Sequence, residues 1–302
     1  VNRRTAAELA LLFNTVVWGS TFVLVKAALA HIGPYLFLVL RFSLATAALA
    51  ILLLPRVAFR RSGKGRLGKE LAAGALCGTF LFAGYLLQTL GLRLTTPAKS
   101  AFLTGLTSVM VPFGAALVYR VRPQVSEGIG VMLAVAGLAL MTFNGPTGSI
   151  MAGVNSGDLL TVLCAAGFAA HIVTLGHFSE RMRFEVLSLA QVGAAAAWSF
   201  SLLRVFETPR VEWQPGVVWA ICITGLLATA LAFTIQAWAM RHTTSTRTAL
   251  IYMFEPVVAW ATSFYVLGEG LSACAAAGAA LILLGILTVE LKPWRQRQHP
   301  ST

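Results

Sequence analysis

Glu255 makes the strongest chemical demand of any residue in this sequence. It lies about halfway along an apolar run at 244–266, and a carboxyl group at that depth is costly unless it is paired, solvated or protonated. It is suited to holding a proton or a cationic group. Its alternative use is to bond backbone groups freed by Pro256, which lacks an N–H and should kink the helix. His171, near the middle of a run at 158–177, could relay protons or donate to a solute, or else make a neutral bond to a neighbouring helix. Arg41 lies about seven residues into a run at 34–54. A guanidinium there must face protein or water, and it can grip a carboxylate bidentately or complete a structural ion pair.

Other polar residues come in matched pairs. Gln88 and Gln236 each follow an aromatic residue by three positions, Tyr85 and Phe233. Residues three apart share a helix face, so each amide and ring could line a cavity together, or the amides could serve as hydrogen-bond glue between helices. Lys99 and Arg247 stand at the starts of two apolar runs, each followed by a small hydroxyl residue, Ser100 and Thr248. They could draw a carboxylate toward a cavity, or snorkel to lipid headgroups. Near the N-terminus, Asn14, Trp18, Thr21, Phe22 and Val25 fall at helical spacing. Trp18, Thr21 and Phe22 are candidates to line the same site, and Tyr252, one turn before Glu255, could complete it. Gly74 with Gly78, and Gly130 with Ala134, read as small-residue helix-packing patterns.

These residues need elements to position them, and composition says what the elements are. Of 302 residues, 57% are apolar and 11% charged, with a mean hydropathy of +0.78. Soluble domains carry about 25% charged residues, so the apolar surface must be solvated by lipid. Ten runs approach the roughly 20 residues needed to span a bilayer as helix: 9–29, 34–54, 71–92, 97–119, 125–143, 158–177, 186–206, 215–237, 244–266 and 271–289. None alternates as barrel strands do. The expected fold is therefore an all-α integral membrane protein. The first run follows Arg3 and Arg4 and is long enough to span, which favours a span over a cleaved leader.

The net charge of +12 suits membrane orientation better than nucleic acid, because the basic residues sit in short loops. With the N-terminus cytoplasmic, Arg3, Arg4, Arg56, Arg60, Arg61, Lys64, Arg66, Lys69, Arg120, Arg122, Arg181, Arg183, Arg241, Arg247, Lys292, Arg295 and Arg297 are cytoplasmic, 17 of 23 basic residues. Both termini are then expected in the cytoplasm of a bacterial-type inner membrane, with Trp213 and Trp294 at interfacial depth. Cys77, Cys164, Cys222 and Cys274 all lie in apolar runs without metal-ligand spacing, so they read as small buried hydrophobes, and neither a metal nor a cofactor is expected.

The chain also repeats itself at a single offset. Gln88 matches Gln236 at 236 − 88 = 148, and the same shift pairs Gly19 with Gly167, Arg93 with Arg241, Thr95 with Thr243, Thr96 with Thr244, Lys99 with Arg247, Ala101 with Ala249, Gly130 with Gly278 and Gly137 with Gly285. Each half holds five spans, an odd number, so the halves enter the membrane in opposite senses. This is an inverted repeat, with the solute site expected at mid-membrane between the halves. The first repeat is read as 1–143, the linker as 144–157, the second repeat as 158–291 and a cytoplasmic tail as 292–302.

Several short motifs resemble the drug/metabolite transporter superfamily, in its ten-helix branch of two EamA-type domains. They are WGSTF at 18–22, QTLGLRLTTPAKSAFLTGL at 88–106, GDLL at 157–160, IYMFEPVVA at 251–259 and GE at 268–269. The first half departs from the pattern, with Thr107 and Ser108 where the second has Glu255 and Pro256, and with Pro112 displaced. The resemblance implies efflux or uptake of amino acids, metabolites or toxic compounds. The reading is a secondary-active transporter, with export of an amino acid or related solute favoured. Nothing resembles a nucleotide-binding loop, so a gradient must drive it, and a proton would use Glu255 or His171. A passive channel or facilitator and a lipid scramblase are the alternatives. An intramembrane enzyme is disfavoured, since there is no HExxH, no GxSxG and no second mid-span acid to pair with Glu255. The expected partners are a small solute, membrane lipids and protons.

Overall fold

The computed structural model describes residues 2–59, 65–120, 125–143, 155–268, 270 and 272–290. Most of the expected linker (144–154), the tail 292–302 with Trp294, and Glu269 lie outside the described residues. Ser156 and Gly157 already belong to the first turn of a helix.

The described chain is helical throughout its apolar runs. The first half contains α1 (Arg3–Ala28), α2 (Pro34–Phe59), α3 (Arg66–Leu94), α4 (Pro97–Thr104), α5 (Leu106–Tyr119) and α6 (Val125–Phe143). The second contains α7 (Ser156–Ser179), α8 (Phe184–Phe206), α9 (Pro215–Cys222), a π-helical segment (Ile223–Leu231), α10 (Ala232–Ala239), α11 (Ser245–Tyr252), α12 (Glu255–Leu267) and α13 (Ala273–Glu290). Among the described residues, seven helical stretches are long and apolar enough to cross a membrane, one of them comprising α4 and α5 together. α6, the broken pair α11–α12, and α13 supply the other three of ten spans.

Local sequence sets where the spans begin. Pro97 and Pro215 occupy first-turn positions, where a missing N–H costs nothing. Thr96 caps α4 by accepting from the Lys99 backbone N–H. Asn155 and Asp158 form a reciprocal capping box on α7. Gly268, at φ +69°, ends α12 in the left-handed region.

Two spans are broken at repeat-equivalent positions, the fourth at Gly105 and the ninth at Met253–Phe254. Pro256, on the first turn of α12, explains the second break. The first half has no proline there, and its break falls at Gly105 instead. The breaks touch: a Cβ on Gly105 would lie 3.1 Å from Cγ of Pro256. Discontinuous helices meeting between inverted repeats are a recurrent way to build a solute site in lipid.

The packing is largely between halves. α3 lies against α7 and α8, α2 against α8, α1 against α10 and α12, and α6 against α13. Gly74 and Gly78 serve as the pattern predicts. A Cβ on Gly74 would strike Ala190, and one on Gly78 would strike the Gln191 carbonyl, so α3 and α8 approach through their glycines. Large apolar side chains such as Leu117, Val125 and Tyr265 are left on the outside, where lipid is their solvent. Cys77 and Cys164 are buried, whereas Cys274 is exposed on this outer surface and is not the buried hydrophobe the sequence suggests.

The loops sort to two ends. Residues 2–8, 181–183 and 240–247 share one end, here called the near face: Arg247 meets Glu8 and the Arg66 guanidinium bonds the Arg181 carbonyl. Residues 29–35, 92–99, 155–158 and 207–214 share the far face. There Ile32 and Val211 form an antiparallel bridge and Glu207 accepts from the Tyr35 and Leu36 backbone N–H groups. The 90s and 240s turns are thus at opposite ends, as an inverted repeat requires.

Candidate functional site

A cavity lies between the halves at the broken helices, with about 760 Å³ of empty space, open solvent at its mouth included. Trp18, Thr21, Phe22, Arg41, Tyr85, Gln88, His171, Gln236, Tyr252 and Glu255 all line it. Lys99 and Arg247 do not.

Arg41 reaches the cavity from α2 and is only 3% exposed. Its Nε donates to Thr229 Oγ1 at 2.8 Å, and its guanidinium carbon sits 4.2 Å from the centre of the Tyr85 ring, a cation–π distance. Thr229 is positioned by the π-helical segment, where its hydroxyl donates five residues back to the Thr224 carbonyl at 2.7 Å. π turns are rare and concentrate at functional sites. The widened turns also offer carbonyls to α1: Trp18 Nε1 donates to Ala228 at 2.7 Å, and Asn14 Nδ2 to Ala232 at 2.8 Å.

Those bonds seat Trp18 within an aromatic wall. Its ring packs edge-on against Tyr252 at 4.8 Å and tilted against Phe233 at 5.3 Å. Tyr85 packs edge-on to Phe168 at 5.1 Å. Thr21 donates to its own helix, at the Trp18 carbonyl.

The two glutamines are not equivalent in use. Gln88 Nε2 donates to Thr104 Oγ1 at 3.2 Å. At the offset of 148, Thr104 corresponds to Tyr252. Gln236 is 1% exposed and its Oε1 has no hydrogen-bond partner. His171 on α7 is held by Gln191 on α8, with Nε2 and Oε1 at 2.8 Å. Glu255 opens α12 and has no hydrogen-bond or ion-pair partner among the described residues. Arg41 and Glu255 therefore both face the cavity, and they are not paired with each other.

Lys99 and Arg247, expected at the solute, are engaged elsewhere. Lys99 Nζ lies 2.6 Å from Asp158 Oδ2, and Arg247 Nη1 lies 3.0 Å from Glu8 Oε1. Each basic side chain finds an acid on the first helix of the opposite half, and that neutralises it before it reaches the cavity.

Thr229, Gln191, Thr104 and Phe168 were not singled out by sequence. Thr104 had a usable signal, as the repeat mate of Tyr252. The others had none, since Thr and Gln on apolar helices are common and their use depends on which helix crosses nearby.

A helical membrane protein of two inverted repeats, with a part-polar cavity at paired helix breaks, has the architecture of a secondary transporter. The comparisons agree. The model of the EamA-like transporter family matches residues 5–143 and 155–291, and the chain belongs to that family. An uncharacterized transporter of Archaeoglobus fulgidus is 32% identical over 96% of this chain and 87% of its own length. A probable amino-acid metabolite efflux pump of Salmonella typhimurium is 27% identical over 91% of each chain. A crystal structure at 21% identity covers 95% of this chain and 97% of its own with a TM-score of 0.71, which establishes a common fold.

Proposed function

We propose that this chain is a secondary-active exporter of a zwitterionic amino acid or closely related metabolite, working by alternating access around the cavity. The observation that carries the proposal is the coexistence of Arg41 and Glu255 in one buried aromatic pocket, each without an ion-pair partner among the described residues. Two opposite charges held apart in lipid, at about 2.5–3.5 kcal/mol each by insertion scales, suit a solute that brings both counter-charges. The guanidinium would take the carboxylate and Glu255 the ammonium, with the free Gln236 Oε1 as a further acceptor. The rings of Trp18, Phe22, Phe168, Phe233 and Tyr252 favour an apolar side chain. The Salmonella relative, a probable amino-acid metabolite efflux pump, supports the same solute class.

In this reading the halves are 1–143 and 158–291, joined by 144–157. The near face is cytoplasmic in a bacterial-type inner membrane, and a proton gradient drives export through Glu255, or His171 as the second candidate. The test is counterflow in proteoliposomes loaded with single amino acids. Acceleration by an apolar amino acid but not by its methyl ester or its N-acetyl form is the expected result. Glu255→Gln should reduce exchange about tenfold or more, as loss of one charged hydrogen bond of 1.5–3 kcal/mol implies. It should also flatten the pH dependence of net transport between about pH 5 and 8 while the protein stays monodisperse. Flux without counterflow would point to a channel, and an unchanged pH profile in Glu255→Gln would remove Glu255 from coupling.

A further inference from the structure

Lys99 and Arg247 are repeat mates, and what they do instead of lining the cavity follows one plan. Each sits in the first turn of its helix, whose start is capped the same way: Thr96 Oγ1 accepts from the Lys99 N–H and Thr244 Oγ1 from the Arg247 N–H, both at 3.3 Å. Each then reaches across to the N-terminal part of the opposite half's first helix, to Asp158 on α7 and Glu8 on α1. One ion pair therefore joins the halves at the far face and its mate joins them at the near face.

The two are made to different degrees. At the far face Asp158 is 3% exposed and Lys99 22%. Asp158 Oδ1 also accepts from Thr95 Oγ1 at 2.9 Å, and Oδ2 from the Asn155 N–H at 3.0 Å. Asn155 in turn holds the Leu94 carbonyl, and Lys26 gathers the carbonyls of Leu92, Arg93 and Thr95 at 2.8–3.0 Å. Val25 and Leu92 line the cavity, so this cluster stands directly beyond its far end. At the near face Arg247 and Glu8 are both 31% exposed, and Arg4 shares the same carboxylate oxygen. Thr243, repeat mate of Thr95, is a buried hydroxyl with no hydrogen-bond partner. The position that completes the far-face cluster is left open at the near face.

We propose that Lys99–Asp158 and Arg247–Glu8 are two inter-repeat latches that close the cavity alternately, one at each face; both pairs are in contact in this structure, and the far-face one is the more buried and the more fully supported. The inference rests on the alternating-access reading above, but its test needs no transported solute. In the full chain, with the native cysteines replaced by alanine, Phe22→Cys serves as a cavity reporter. A membrane-impermeant maleimide is applied to each face of oriented vesicles.

Lys99→Ala should raise labelling from the far face at least fivefold and lower it from the near face. Arg247→Ala should shift labelling the opposite way. The exchange Lys99→Asp with Asp158→Lys should return accessibility toward the parent, and it keeps the test informative if a single replacement fails to insert. Changes on the same face for both replacements, or no change for either, would overturn the latches and leave two structural braces. One-sided labelling shifts without any amino-acid counterflow would keep the latches and reject the proposed solute.

Discussion

Two helix seams of this protein are related by the repeat yet built in opposite ways. Where α3 crosses α7 the backbones touch: a Cβ on Gly167 would lie 2.9 Å from the Gly84 nitrogen, and one on Gly91 would lie 2.7 Å from the Gly157 carbonyl. The corresponding crossing in the other half, α1 on the π-helical segment and α10, is held apart by a tryptophan. There the contacts are directional, from Trp18 and Asn14 to the carbonyls of Ala228 and Ala232. Both seams lend polar residues to the cavity, Tyr85, Gln88 and His171 from the first and Trp18 and Gln236 from the second, but among the described residues only the second is itself held beside the cavity by side-chain hydrogen bonds to facing carbonyls. A glycine seam gains dispersion along its whole length and offers no alternative partners. A hydrogen-bonded seam can exchange one acceptor for another at little net cost. The comparison assigns rigidity to α3–α7 and adjustment to α1 and the π-helical segment.

Breaking the glycine seam should have the largest effect. Gly84→Leu places a branched side chain where even a Cβ would fall 2.6 Å from the Phe168 ring. Overpacking typically costs about 1–3 kcal/mol, and a helix pair forced apart along its length should exceed that. The expected outcome is loss of the monodisperse protein in size-exclusion chromatography after detergent extraction. A protein that still ran as a single sharp peak would show that the seam is not what holds the halves together.

The next test bears on the directional seam without disturbing the fold. Thr229→Val removes the acceptor for Arg41 Nε and the donor to the Thr224 carbonyl at nearly constant volume. Arg41 would keep its place over Tyr85 but lose its orientation. A hydrogen bond to a charged group is worth about 1.5–3 kcal/mol, so solute binding should weaken about tenfold or more, and the loss of two buried hydrogen bonds should also lower the melting temperature by several degrees. Arg41→Lys should lose as much, because an ammonium keeps the charge but cannot hold a carboxylate bidentately. Equal affinity in Arg41→Lys would mean that the guanidinium acts only as a buried structural cation.

How much of this was legible in the sequence divides along the same line. Features that depend on one chain segment could be read directly: the spans, the glycine pattern of α3, the repeat at 148, and the depth of Arg41, His171 and Glu255. Glu255 and Arg41 stood out because charge in an apolar run has few solutions. Features that depend on which segment lies opposite could not. Lys99 and Arg247 looked like solute ligands until Asp158 and Glu8 arrived from the other half. The break at Gly105 was hidden because its equivalent relies on Pro256 and the first half does not. The π winding at 223–231 leaves hydropathy unchanged, since i→i+4 and i→i+5 bonding bury the same side chains in similar surroundings.

The smallest expected effect is the most specific to the comparison. Trp18→Phe keeps an aromatic ring against Tyr252 and Phe233 but removes the only donor to the Ala228 carbonyl from that side chain. One neutral hydrogen bond contributes about 1 kcal/mol net, enough to shift a thermal midpoint by a few degrees in a chain of this size. The glycine seam should not register the change, so amide exchange along α3 and α7 should stay as in the parent. Exchange should accelerate in the π-helical segment and α10, where the wide turn has lost its outside donor. If protection fell equally in α3, the two seams would be one cooperative unit, and the division of rigidity and adjustment between them would be wrong.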